Sequence, residues 1–115
     1  IYRLDTATGQ FTLWCRTQLP IDPAQFEAKQ VWITSKDQTR VPMFLVHKKG
    51  LKLDRQRPVF LTGYGGFLVS LQPTFSAVAA VWAQNDGVYA VPNLRGGGEF
   101  GEAWHQAGMF ERKQN

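Results

Sequence analysis

A chain of 115 residues has room for at most one modest domain, and 43% hydrophobic with 13% aromatic content argues against disorder. A formal charge of +4 invites a nucleic-acid partner. However, the only concentrated positive stretch, His47 to Lys52 with Arg55 and Arg57, is interrupted by Asp54 and apolar residues and reads as a solvated loop, so none is expected.

Ile1 to Asp5 alternates apolar and polar residues, and Thr8-Gly9-Gln10 makes a turn before Phe11 to Trp14. That pattern predicts a β-hairpin, the repeating piece of propellers and sandwiches. Two prolines within Leu19 to Pro23 break regular structure, so residues 17–25 read as a connector and a domain boundary. Phe26 to Thr34 alternates again and predicts a half-exposed strand. Ser35 to Thr39 is a turn, and Val41 to His47 a more buried strand, antiparallel by hairpin logic. A loop from Lys48 to Pro58 leads to Val59-Phe60-Leu61, which read as a buried central strand, ended by Gly63, Gly65 and Gly66. These glycines permit positive φ and close approach, and they hold Tyr64 between them.

Beyond Phe67 the pattern turns helical. Pro73-Thr74 opens a predicted helix with Phe75, Val78, Ala79, Val81 and Trp82 on its apolar side, and Asn85-Asp86-Gly87 stops it. Val88 to Asn93 is a β-branched and aromatic run, expected as a strand buried on both faces and parallel to Val59–Leu61. Arg95 to Gly101 reads as an extended loop. Glu102 to Lys113 predicts a final helix that buries Trp104, Met109 and Phe110, with Gly108 its weak point. The fold class is α/β.

Cys15 is the only cysteine, which rules out an internal disulfide or a thiolate zinc site and suits a reducing, cytoplasmic compartment. The longest apolar run, near Ala77 to Ala83, falls far short of the ~20 residues that span a bilayer, so no membrane partner is expected. The chain begins at Ile1 without an initiator Met and stops at Asn115, so it is expected to be a piece of a longer protein.

Gly96 to Gly101 satisfies G-x-G-x-x-G between a strand and a helix. A dinucleotide site needs an acidic residue about 20 positions onward after a second strand, and none follows. Glu99 also puts a carboxylate inside the turn that would hold the pyrophosphate, so no cofactor is expected. Neither His47 nor His105 has a metal partner at useful spacing. Ser35, Ser70 and Ser76 lack the G-x-S-x-G frame of a nucleophile elbow. The chain therefore holds no nucleophile, base or triad. Tyr64 reads either as a structural turn residue or as a phenolic donor at the end of a strand, where open α/β sheets bind ligands. A phenol titrates near ~10 and so suits a developing oxyanion at neutral pH.

Four blocks carry a resemblance: Val41 to Gly50; Gly63-Tyr64-Gly65-Gly66-Phe67; Asn93 to Glu102 with Trp104-His105; and Lys113-Gln114-Asn115. In this order and spacing they closely resemble the prolyl oligopeptidase family of serine peptidases, well over residues 30–115 and only in pattern before that. The resemblance implies a seven-bladed β-propeller joined to an α/β-hydrolase domain. Residues 1–16 would end the propeller, 17–29 would form the linker, and 30–115 would begin the hydrolase domain, with the triad lying beyond Asn115. It also implies that Tyr64 supplies half of the oxyanion hole and that Phe67 lines the pocket for a substrate proline ring. The expected partners are short proline-containing peptides, and the intact enzyme is expected to be a monomer. Gln38 stands where a turn glycine is common and Phe100 where a tyrosine is usual. Gly-Gly-Phe and Trp-His favour the proline-specific branch over siblings that cleave after basic residues. A non-catalytic relative that binds peptides is the other alternative.

Overall fold

In the computed structural model, which describes residues 1–114, the hairpin and the sheet form separately. β1 (Tyr2–Leu4) and β2 (Phe11–Leu13) pair antiparallel around a turn in which Asp5 Oδ1 accepts from the Ala7 and Thr8 N–H groups. The connector that follows is irregular except for one 3-10 turn at Pro23–Gln25, capped by the Asp22 carboxylate.

β3 (Phe26–Thr34) and β4 (Arg40–Lys48) form an antiparallel hairpin in register from Phe26↔Lys48 to Thr34↔Arg40. Its turn needs a left-handed residue, and Gln38 fills that place with φ 67°. β4 then pairs antiparallel with β6 (Val88–Pro92), and β6 pairs parallel with β5 (Val59–Leu61), giving the order β3-β4-β6-β5. The predicted parallel pair is present, joined through α1 (Ala77–Gln84). β6 buries Val88, Ala90 and Pro92 and half-buries the residues between them.

Three expectations need correction. The run Val59–Leu61 is neither central nor buried: β5 lies at the sheet edge, and Val59 and Leu61 are 58% and 65% exposed. Only Phe60 finds cover, edge-on to Trp82 with ring centroids 5.6 Å apart and stacked on Tyr89 at 5.5 Å. Its neighbours point to the opposite face, where an open apolar groove includes Met43, Leu45, Val59 and Leu61.

The helix begins at Ala77 rather than Pro73, because Ser76 takes extended backbone and its Oγ accepts from Ala79 N–H at 3.2 Å. Its buried residues are Ala79 and Ala83, one turn apart, against β4 and β6. The bulkier Phe75, Val78 and Val81 face outward. Asn85 and Asp86 (φ 59°) end it, with Gly87 N–H returning to Trp82 O at 3.1 Å.

The final helix is split. α2 covers only Glu102–Gln106, and a 3-10 turn follows at Phe110–Gln114. Gly108 marks the break because the chain there lies against another backbone: a Cβ on Gly108 would fall 2.1 Å from the Arg95 carbonyl carbon. Phe110, expected inside, is 87% exposed, whereas Trp104 sits beneath Phe100 with centroids 4.9 Å apart.

Candidate active site

β5 and β6 are parallel, so their C-terminal ends release two loops on one side of the sheet. The first carries Tyr64 and Phe67, and the second runs from Asn93 to Gly101. Thr62 N–H still pairs with Ala90 O at 3.0 Å, so Tyr64 leaves two residues after the last sheet contact.

Of the glycines framing Tyr64, only Gly65 takes positive φ, at 60°. It must also lack a side chain, since a Cβ would meet Leu94 Cβ at 2.5 Å and Arg95 O at 2.8 Å. Gly63 and Gly66 instead give room: a Cβ on Gly63 would press Leu94 Cδ1 at 3.1 Å, and Gly66 lies beside the Tyr64 ring. The Tyr64 side chain is half-exposed, and no side-chain hydrogen bond among the described residues engages its hydroxyl. Phe67 is 85% exposed. Phe67 and Leu68 both sit in the left-handed region, at φ 50° and 58°. Such backbone persists only where its surroundings hold it.

The surroundings are specific. Leu68 N–H reaches Gly96 O at 3.2 Å, and His105 Nδ1 lies 2.6 Å from the same carbonyl. A carbonyl oxygen can only accept, so the shorter contact puts the proton on Nδ1, and the Leu68 N–H, although 3.3 Å from that nitrogen, is left to Gly96 O. Asn93 is buried and its amide donates to Leu71 O at 2.8 Å and Glu99 Oε1 at 3.1 Å, while that same oxygen accepts from Leu71 N–H at 2.9 Å. Lys113 Nζ donates to Gly65 O and, at 2.9 Å, to Arg95 O. The glycine-rich loop is thus stitched to the tyrosine loop rather than shaped for a phosphate. In that turn the Glu99 carboxylate would repel one.

Arg95 extends the network to the far hairpin. Its guanidinium forks onto the Asp37 carboxylate and also donates to Ser35 Oγ and Thr39 Oγ1, each at 3.1 Å. That guanidinium, with the Thr39 N–H, holds the Asp37 carboxyl well below the usual carboxylate range. The two histidines also part company. His47 is fully buried, with Nδ1 2.8 Å from Lys48 O, whereas His105 takes part in the loop clasp. Among the described residues no three His, Cys, Asp or Glu side chains group as metal ligands, and no helix is long and apolar enough to cross a membrane.

Tyr64 and Phe67 are therefore placed on one loop as the sequence suggested. Asn93, Glu99, Arg95, His105 and Lys113, which hold that loop, were legible only as parts of a motif. The last block of that motif is described through Gln114, and Asn115 lies outside the described residues.

Residues 73–115 match the Prolyl oligopeptidase family. The whole chain is 45% identical over 115 residues to a prolyl endopeptidase of Elizabethkingia meningoseptica, spanning 16% of that protein. It is 52% identical over 113 residues to prolyl oligopeptidase A of Galerina marginata, covering 96% of this chain and 15% of that protein. Among solved structures, one from a structural and mechanistic analysis of two prolyl endopeptidases superposes with a TM-score of 0.86 at 48% identity, covering 98% of this chain and 17% of that one. Prolyl oligopeptidase B from Galerina marginata, bound to a 35mer hydrolysis and macrocyclization substrate, gives 0.86 at 42% identity over 97% of this chain and 16% of that one. The likeness runs along almost the whole chain in sequence and in backbone course, while the chain spans about one-sixth of the length of these relatives. The chain belongs to the prolyl oligopeptidase family.

Proposed function

We propose that this chain is part of a serine-type oligopeptidase that cleaves short peptides on the carboxyl side of proline through an acyl-enzyme. The observation that supports this most is 45% identity along the full chain to a prolyl endopeptidase. In this reading residues 1–16 are the last strands of a β-propeller, 17–29 a linker, and 30–115 the first part of an α/β-hydrolase domain. The hairpin forming a sheet of its own, apart from the four-stranded sheet, supports that division.

A serine hydroxyl from outside this chain attacks the carbonyl carbon that follows the proline ring. The carbonyl π pair moves onto oxygen, and the Tyr64 hydroxyl donates a hydrogen bond to that oxyanion. The oxyanion's pair then re-forms the carbonyl, the scissile C–N bond breaks, the amine leaves with the proton given up by the serine hydroxyl, and water hydrolyses the ester to free the serine. A donor aimed at charge that exists only in the transition state raises kcat rather than affinity. The half-exposed Tyr64 at the end of a parallel pair, and Phe67 on the same loop, support these roles. Phe67 offers its ring to the substrate proline.

In the full-length enzyme, Tyr64→Phe should lower kcat by about 10²-fold with the fold intact, as for one lost oxyanion donor. An unchanged kcat would remove Tyr64 from the chemistry. Phe67→Ala should raise KM for proline substrates through loss of apolar contact. An equal rise for every substrate would remove the pocket role.

A further inference from the structure

We propose that Lys113 is a positioning residue for the Tyr64 loop: its ammonium draws the carbonyls of Gly65 and Arg95 together and so fixes the direction in which Tyr64 leaves the sheet. The inference rests on the oxyanion reading of Tyr64 given above.

Three stretches of backbone meet at this point. A Cβ on Gly96 would lie 2.2 Å from Gly65 O, one on Gly65 would lie 2.8 Å from Arg95 O, and one on Gly108 would lie 2.1 Å from the Arg95 carbonyl carbon. Packing this close leaves space for backbone alone, and it brings the negative ends of two peptide dipoles side by side. The amides nearby are already committed, Gly96 N–H to Trp104 O at 3.0 Å and Gly97 N–H to Leu94 O at 3.3 Å. Oxygens so placed need a donor with more than one N–H, and preferably a positive charge.

Lys113 meets that need. Its Nζ donates to both carbonyls, and none of the ion pairs among the described residues involves it. A lysine whose partners are carbonyl oxygens rather than a carboxylate acts as a clamp on backbone geometry. Gly65 is the residue next to Tyr64, and two positions later Phe67 and Leu68 hold positive φ that relaxes unless the loop is anchored. Lys113 supplies the anchor on the tyrosine side, and the Gly96 carbonyl supplies it on the Leu68 side.

The test is a double-mutant cycle in the full-length enzyme, with hydrogen exchange of the 65–69 amides measured alongside. Lys113→Met should lower kcat by about 10-fold or more with little change in KM, because a small misplacement of a catalytic group is costly. In a Tyr64→Phe background the same substitution should have almost no further effect on kcat. Lys113→Arg, which keeps the donors and charge, should recover most of the rate. Equal losses in both backgrounds would overturn the proposal, since Lys113 would then act independently of Tyr64. If Tyr64→Phe alone leaves kcat unchanged, the oxyanion reading fails, and exchange decides on the clamp. Faster exchange of the 66–69 amides in Lys113→Met supports it, and unchanged exchange overturns it.

Discussion

Arg95 shows how one side chain can brace two parts of a sheet. Its guanidinium is almost wholly buried against Asp37, Ser35 and Thr39 in the β3–β4 turn, while its own carbonyl receives Lys113. The fork explains the low pKa direction of Asp37, and the sign of its effect on stability follows. A carboxyl depressed in the folded state stabilises fully above its unfolded pKa of about 4, and that contribution shrinks as pH falls below this value. In the full-length protein, Asp37→Asn should therefore lower the thermal midpoint at pH 7 and narrow its gap to wild type between pH 4 and pH 3. A gap that stays constant with pH would show that the ion pair does not govern the turn. None of this was legible in the sequence, because Asp37 and Arg95 lie far apart in the chain and meet only when β4 docks on β6. The turn around Tyr64 was legible for the opposite reason: its glycine frame is local. Even there the geometry departs from expectation, since Gly65 alone of the three glycines takes positive φ while Phe67 and Leu68, with side chains, take it too.

At the scale of elements, strands were placed well wherever a local run of alternating or β-branched residues was bounded by turn residues. β3 spans Phe26–Thr34, as its pattern indicated, and β6 follows the buried run from Val88. β5 was misjudged because an apolar triplet records that a strand is fit for burial, not whether anything lies over it. Helix ends depended on capping chemistry. Pro73 looked like an opening signal, yet Ser76 is the residue whose hydroxyl satisfies an otherwise unpaired helical N–H. Ser76→Ala should cost α1 about 1 kcal/mol, seen as roughly fivefold faster exchange at Ala79 and Ala80 in the full-length protein. Exchange that stays at the wild-type rate would assign the helix start to packing by Ala79 and Ala83 alone. The split in the last helix had a visible cause in Gly108, but the Arg95 backbone that requires it comes from a separate loop.

The molecule as a whole is flat, with extents of 54 × 40 × 18 Å and a radius of gyration of 18.1 Å. A compact domain of similar length has a radius near ~13 Å. The accessible surface is 8578 Å², whereas a folded monomer of this mass exposes roughly 6,300 Å². Among the described residues the buried aliphatic side chains are few and small, Val41, Ala79, Ala83, Val88 and Ala90, joined by Pro42 and Pro92. Phe11, Trp14, Val59, Leu61, Phe75 and Val81 are all largely open to solvent. So little burial leaves the conformational entropy of the chain weakly opposed. The isolated 115-residue polypeptide should therefore unfold without a sharp calorimetric transition and bind a hydrophobic dye, and a single cooperative transition would contradict this. The strand order adds a consequence in time. β3 and β4 meet through a short turn and can zip early, whereas β6 must return across a long excursion to reach β4. Among the described residues β5 pairs with β6 alone, so although it is synthesised earlier it gains this pairing only when its younger neighbour arrives, and the loop that carries the tyrosine is oriented no sooner.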